Sequence, residues 1–145
     1  MPAPALNLVD GLFQLSFLLQ ARLTHIAAAH DLSLIQVRLL GILRDCEPGM
    51  LELARYLELT KSSLSGLVDR AEARGLVERV PSPSDGRGAN IRVTPRGRKL
   101  SKAIEAAVNA DVDALASVLP EADRRRLASL LDRLVQGAQP APPLD

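Results

Sequence analysis

The chemistry written most plainly into this chain is recognition of a polyanion. Lys61, Arg70, Arg74, Arg79, Arg87, Arg92, Arg96, Arg98 and Lys99 all fall within residues 60–99, where only four Asp or Glu accompany them. The other residues carry nine basic groups against thirteen acidic ones, so a formal charge of +1 conceals a basic segment between acidic flanks. A clustered patch of this kind, rather than the total charge, governs contact with nucleic acid. Arg87 stands between Gly86 and Gly88, and a guanidinium on such a tip can enter a narrow, electronegative groove. Asp85 beside it would repel phosphate unless paired. It therefore either positions the tip through an ion pair or caps the turn as an Asx side chain.

A second set of residues could read base edges. Lys61, Ser62, Ser63, Ser65, Gly66, Asp69 and Arg70 fall outside the apolar stripe Leu64, Leu67, Val68 and Ala71. On a helix they form a surface of small hydroxyls and cations that can enter a major groove without steric bulk. A solvated helix face has a similar composition, so the expectation rests on its neighbours. Arg92, Arg96, Arg98 and Lys99 are expected to line phosphate. Arg70 and Arg74 either touch the DNA backbone or pair with Asp69 and Glu72 on their own helix.

The elements that must hold these groups follow from periodicity. Residues 7–30 carry Leu8, Leu12, Leu15, Leu19 and Leu23 at helical spacing, with Phe13 and Phe17 on an adjoining face. Ser33 and Gln36 form a capping box, with Leu32 and Val37 as its staple, before a helix apolar on more than one side. Pro48-Gly49 ends the connection that follows it. A short helix over 51–58 buries Leu53, Ala54 and Leu57, and Thr60 caps the next, which ends near Arg74 with Gly75 as its left-handed stop. Strands over 76–80 and 89–94 flank the polar loop 81–88. Thr94 and Pro95 then start a helix reaching Leu119, and Pro120 opens a last one with Leu127, Leu130, Leu131 and Leu134. The result is a mainly α fold with a small antiparallel β wing: a winged helix-turn-helix with helical dimerisation arms. Residues 7–30 are the N-terminal dimerisation helix, 31–99 the DNA-binding domain, 100–136 the C-terminal dimerisation helices and 137–145 a flexible tail, with residues 1–6 also frayed. The arms carry more aliphatic surface than one small core needs, which points to a two-fold homodimer.

Several motifs place this chain near a known family. Glu52-Leu53-Ala54-Arg55-Tyr56-Leu57, the run Ser62 to Val77, the tip Asp85-Gly86-Arg87 and Val93-Thr94-Pro95-Arg96-Gly97 together resemble the multiple antibiotic resistance regulator (MarR) family of bacterial transcription factors, over about residues 8–136. The resemblance implies a cytoplasmic homodimer on double-stranded DNA with a pseudo-palindromic operator, one recognition helix per subunit in successive major grooves. It implies repression, relieved by a small aromatic or phenolic compound between arm and DNA-binding domain. It also assigns Arg87 to the minor groove and Asp85 to holding the wing. Many members carry an arginine where this chain has Gly66, which shifts readout onto Ser62, Ser63 and Ser65.

Other functions fit less well. With two His, one Cys and no glycine-rich phosphate loop, no catalytic, cofactor or metal site is expected, and an enzyme is the weakest class. Cys46 excludes an intramolecular disulfide, and Asp45 and Glu47 should raise its pKa and blunt it as a sensor. His25 and His30 are five apart, poor spacing for a shared metal. No run is long and apolar enough for a bilayer, and no secretory leader is evident. The competing class is a winged-helix protein-interaction module without DNA readout, encouraged only by Gly66.

Overall fold

A computed structural model describes residues 4–83 and 88–138. The expected wing tip, Asp85-Gly86-Arg87, lies outside the described residues, as do 1–3 and 139–145 at the expected frayed ends. Six helices and one hairpin follow in order: α1 Leu8–Ala28, α2 Leu34–Leu43, α3 Met50–Leu57, α4 Lys61–Ala73, β1 Val77–Pro81, β2 Ala89–Val93, α5 Pro95–Ala116 and α6 Glu121–Gly137. Gly137, assigned to the tail from sequence, is the last residue of α6.

Local chemistry starts most helices. Asn7, Ser33, Thr60 and Thr94 each accept a hydrogen bond from a backbone N–H of the first helical turn. The Ser33 box closes in both directions: Gln36 N donates to Ser33 Oγ, and Ser33 N donates to Gln36 Oε1 at 2.8 Å. Each bond satisfies a donor that the helix itself leaves orphaned. Gly75 takes φ 72° after α4. Its N–H reaches Glu72 O at 2.9 Å and Leu76 N reaches Ala71 O at 3.0 Å, the paired bonds of a Schellman stop. This turn displaces the first strand by one residue from its expected span, and Leu76 enters the core instead.

The core is aliphatic. Leu39, Leu40 and Leu43 of α2 meet Leu53, Leu57, Leu64, Leu67 and Val68 from α3 and α4, with Val77, Ile91 and Val93 of the hairpin beneath and Ile104 of α5 alongside. Among the described residues no polar or charged side chain is buried. The hairpin pairs Val77 with Val93, Glu78 with Arg92 and Arg79 with Ile91. It also gains an edge that the sequence concealed. Gly49 bridges Asn90, Ile91 N donates to Pro48 O, and Asn90 Nδ2 donates to Glu47 O at 2.8 Å. Pro48-Gly49 is therefore a pairing edge and not only a connection.

The arms are barely covered. Ala27 is the one fully buried residue of α1, and α6 has none. Phe13 and Phe17, whose rings lie 6.3 Å apart, and Leu130, Leu134 and Val135 are exposed. The chain exposes 10524 Å², against about 7,200 Å² for a compact monomer of its mass. No described helix is long and apolar enough to cross a membrane.

One contact admits only glycine. A Cβ on Gly97 would lie 2.0 Å from Leu76 O and 2.9 Å from Val93 Cγ2. Gly97→Ala should therefore reduce unfolding free energy by about 2–3 kcal/mol as α5 is pushed off the hairpin. Gly41→Ala, with no atom within 4 Å of the added carbon, should instead gain about 0.5–1 kcal/mol from helix propensity. Denaturant unfolding of the two variants measures the contrast.

Candidate nucleic-acid interface

The basic residues of 60–99 separate into groups that are free and groups that hold the fold together. The α3–α4 turn passes through Glu58 at φ 53°, and Thr60 then caps α4. Lys61, Ser62, Ser63, Asp69 and Arg70 are exposed on the outer face of α4, whereas Ser65 is half-buried. Ser63 is also engaged locally, since Thr60 Oγ1 donates to its hydroxyl at 3.0 Å.

Asp69 would repel a phosphate if it stood alone. It does not: Arg79 of β1 donates to Asp69 Oδ1 and Glu72 Oε1, each at 2.8 Å. The bond that Arg79 donates to Asp69, with the charges of Glu72 and Asp69 and the bond to Glu72, raises the arginine's pKa against partial desolvation. This pair of bridges ties the outer edge of α4 to the wing. Sequence reasoning missed Arg79, because its partners lie seven and ten residues upstream on another element. The β alternation of Val77 and Arg79 could have signalled it.

Arg74 takes neither expected role. Its guanidinium donates to the carbonyls of Asp31 at 2.6 Å and His30 at 3.3 Å. Asp31 takes φ 56° directly after α1, so Arg74 fastens α4 to the end of α1. The alternative in which Arg70 or Arg74 pairs with Asp69 and Glu72 is overturned by Arg79, which reaches both carboxylates from the hairpin.

Across the hairpin Arg92 Nη2 lies 2.6 Å from Glu78 Oε1, the cross-strand partner set by register. Arg92, for which the sequence predicts a phosphate contact, is therefore already paired within the hairpin while remaining exposed. Arg96, Arg98 and Lys99 are exposed near the start of α5, and none of the three makes an ion pair among the described residues. Arg96 runs alongside Gly75, where a Cβ would lie 3.8 Å from its Cδ. Arg98 borders a shallow groove with Leu40, Arg44, Val93, Ser101 and Lys102. Asp85 and Arg87 belong to the undescribed tip.

The remaining candidates carry little chemistry. Burial, then the charges of Glu52 and Asp45, push the Cys46 thiol above its ordinary value. Glu52, at the start of α3, takes the role assigned to Glu47 from sequence. The thiol stays protonated at neutral pH, which disfavours nucleophilic use. Among the described residues no three His, Cys, Asp or Glu side chains group to hold a metal.

Comparison with known proteins fits this geometry. A family model described as "MarR family" matches residues 30–88, the stretch from just after α1 to the residue before β2. Over that stretch the chain is similar to the MarR family. Over 83 residues it is 32% identical to the HTH-type transcriptional repressor Rv2887 of Mycobacterium tuberculosis, spanning 57% of this chain and 60% of that protein. The chain thus covers less than two thirds of this relative's length. Two solved structures share the fold with 25% identity. CouR, a transcriptional repressor bound to a 23-mer DNA duplex, has a TM-score of 0.75 and covers 89% of this chain and 92% of its own. NadR in complex with 4-hydroxyphenylacetate has a TM-score of 0.74 and covers 95% and 99%.

The position of Arg74 makes a test of structure separable from nucleic-acid contact. Arg74→Ala removes two charge-assisted bonds to backbone carbonyls and should lower unfolding free energy by about 1–2 kcal/mol. Arg98→Ala removes no such bond and should leave the thermal midpoint unchanged within error. Paired melting curves decide whether Arg74 is a fastener.

Proposed function

We propose that this chain is a homodimeric, sequence-specific DNA-binding transcriptional regulator of the bacterial cytoplasm, acting as a repressor relieved by a small aromatic or phenolic ligand. The observation that carries the reading is the outer face of α4. Lys61, Ser62 and Arg70 are exposed there while Arg79 holds the two exposed carboxylates of the helix, Asp69 and Glu72. Such a face presents cations and small donors to a major groove without an unpaired negative charge. The likeness to CouR on its duplex supports the same use of this fold.

The remaining parts take their roles from this docking. In the proposal α1, α5 and α6 pair with a second copy and bury the exposed leucines and phenylalanines of the arms. Two recognition helices then reach successive major grooves about 34 Å apart. Arg87 enters the adjacent minor groove, held by Asp85, while Arg96, Arg98 and Lys99 meet phosphate. Ser63 and Ser65 are supporting contacts to Ser62. The groove between α2, β2 and α5 has an apolar floor at Leu40 and Val93 and a charged rim at Arg98, Lys102 and the Arg44–Glu105 pair. Arg98 and Lys102, which make no ion pair among the described residues, are the groups there that would meet the carboxylate of a phenolic acid of the kind NadR holds, and a ligand wedged there would alter the angle between arm and DNA-binding domain.

Binding is tested with duplex from upstream of the protein's own gene and with random duplex of equal length. A preference of at least a hundredfold for the former is expected, and equal affinity would remove the regulator reading. The salt series discriminates among arginines. Arg98→Ala should lower the slope of log affinity against log salt by about 0.9, one phosphate contact. Arg92→Ala should lower it less, since Glu78 already neutralises that charge; equal slopes for both variants would sink the assignment. Addition of 4-hydroxyphenylacetate should raise the melting temperature and weaken DNA binding together.

A further inference from the structure

The outer face of α4 lacks a side chain at one position. Gly66 is half-buried in the middle of the helix, where glycine is a poor choice on propensity alone. A Cβ built there would lie 3.2 Å from Arg70 Nη1. The Arg70 guanidinium therefore lies back over Gly66, one turn N-terminal to its own Cα. Helical side chains lean in this direction, and residues four apart share a face.

Two further observations bear on what Arg70 does there. Its nearest carboxylates in sequence, Asp69 and Glu72, are both held by Arg79. Among the described residues the Arg70 side chain makes no hydrogen bond or ion pair. The guanidinium is thus left exposed and uncommitted, and its place on the outer face comes from the empty position beneath it. Any larger residue at position 66 would compete for the same space.

We propose that Gly66 is a specificity-determining position that acts by seating the Arg70 guanidinium on the base-reading face of α4, where its two parallel N–H donors engage the O6 and N7 edge of a guanine. A planar, five-donor fork suits that edge, and lysine does not replace it. The inference rests on the DNA-binding reading above. It assigns Arg70 to base recognition instead of phosphate, and it makes Gly66 a positioning residue that never touches DNA itself.

The test is a double-substitution cycle on the full-length dimer, read by fluorescence anisotropy against the preferred duplex and a random one. Arg70→Ala should weaken binding to the preferred duplex ten- to a hundredfold and to random duplex less than threefold. Arg70→Lys should not restore the difference. In the Gly66→Leu background, Arg70→Ala should add less than a twofold further loss. Gly66→Ala, which keeps a small face and favours the helix, should retain folding and lie between wild type and Gly66→Leu. Replacing the contacted guanine by 7-deazaguanine should reproduce the Arg70→Ala loss in wild type and have no effect in Arg70→Ala. Equal weakening on both duplexes, with a salt slope reduced by about one phosphate unit, would make Arg70 a phosphate contact and overturn the proposal. So would an Arg70→Ala loss that is the same in all backgrounds. If wild type prefers no duplex at all, it is the regulator reading that fails first, and that result is visible before any variant is made.

Discussion

Three parts of this molecule are fixed relative to one another at a single pair of peptides, those carrying the carbonyls of Gly75 and Leu76. Thr94 donates to both, through Oγ1 to Gly75 O at 2.6 Å and through its N–H to Leu76 O at 3.0 Å. The same threonine caps α5, and Gly97 passes over the Leu76 carbonyl with no room for a methyl group. The end of α4, the start of the hairpin and the start of α5 therefore meet within a few residues. Because the contact is between backbones, it has little capacity to relax. The ends of α4, β1 and α5 are thereby held in one fixed arrangement.

The basic character of residues 60–99 is spent in two ways. Arg74, Arg79 and Arg92 serve the fold, by joining α4 to the end of α1, the wing to α4, and one strand to the other. Exposed pairs of this sort stabilise only modestly, typically under ~1 kcal/mol each. Their larger effect is on the surface: they remove the carboxylates of Asp69, Glu72 and Glu78 from the face that would oppose a phosphate backbone. Among the described residues Lys61, Arg70, Arg96, Arg98 and Lys99 are left without an ion pair, on one side of α4 and at the start of α5.

The arms follow a different rule. Leucines at helical spacing make α1 and α6 stable as amphipathic helices, but a helix of this kind gains its stability from the apolar face it covers. In the single chain that face is open from Leu8 to Phe17 and again from Leu127 to Val135. The area left exposed exceeds that of a compact monomer by roughly 3,000 Å², within the range of extensive subunit contacts.

Most of the architecture was legible from residue types. The Ser33–Gln36 box, Thr60, Thr94-Pro95 and Gly75 mark element boundaries because capping is local, and the stripes of α3 and α4 follow from a 3.6-residue period. The basic segment, too, is a property of the sequence itself. What the sequence left open was which of those cations are free. Arg79 reaches carboxylates seven and ten residues away, Arg92 one fourteen away, and Arg74 carbonyls more than forty away. The edge at Pro48-Gly49 likewise depends on Asn90, far along the chain. Local hydrogen bonding and periodicity are encoded within a few residues, so the sequence determined the elements and the total charge. Ion pairing falls off over a few ångströms and takes no account of chain separation, so only the tertiary structure could decide which arginines are tied to the protein and which remain for a partner.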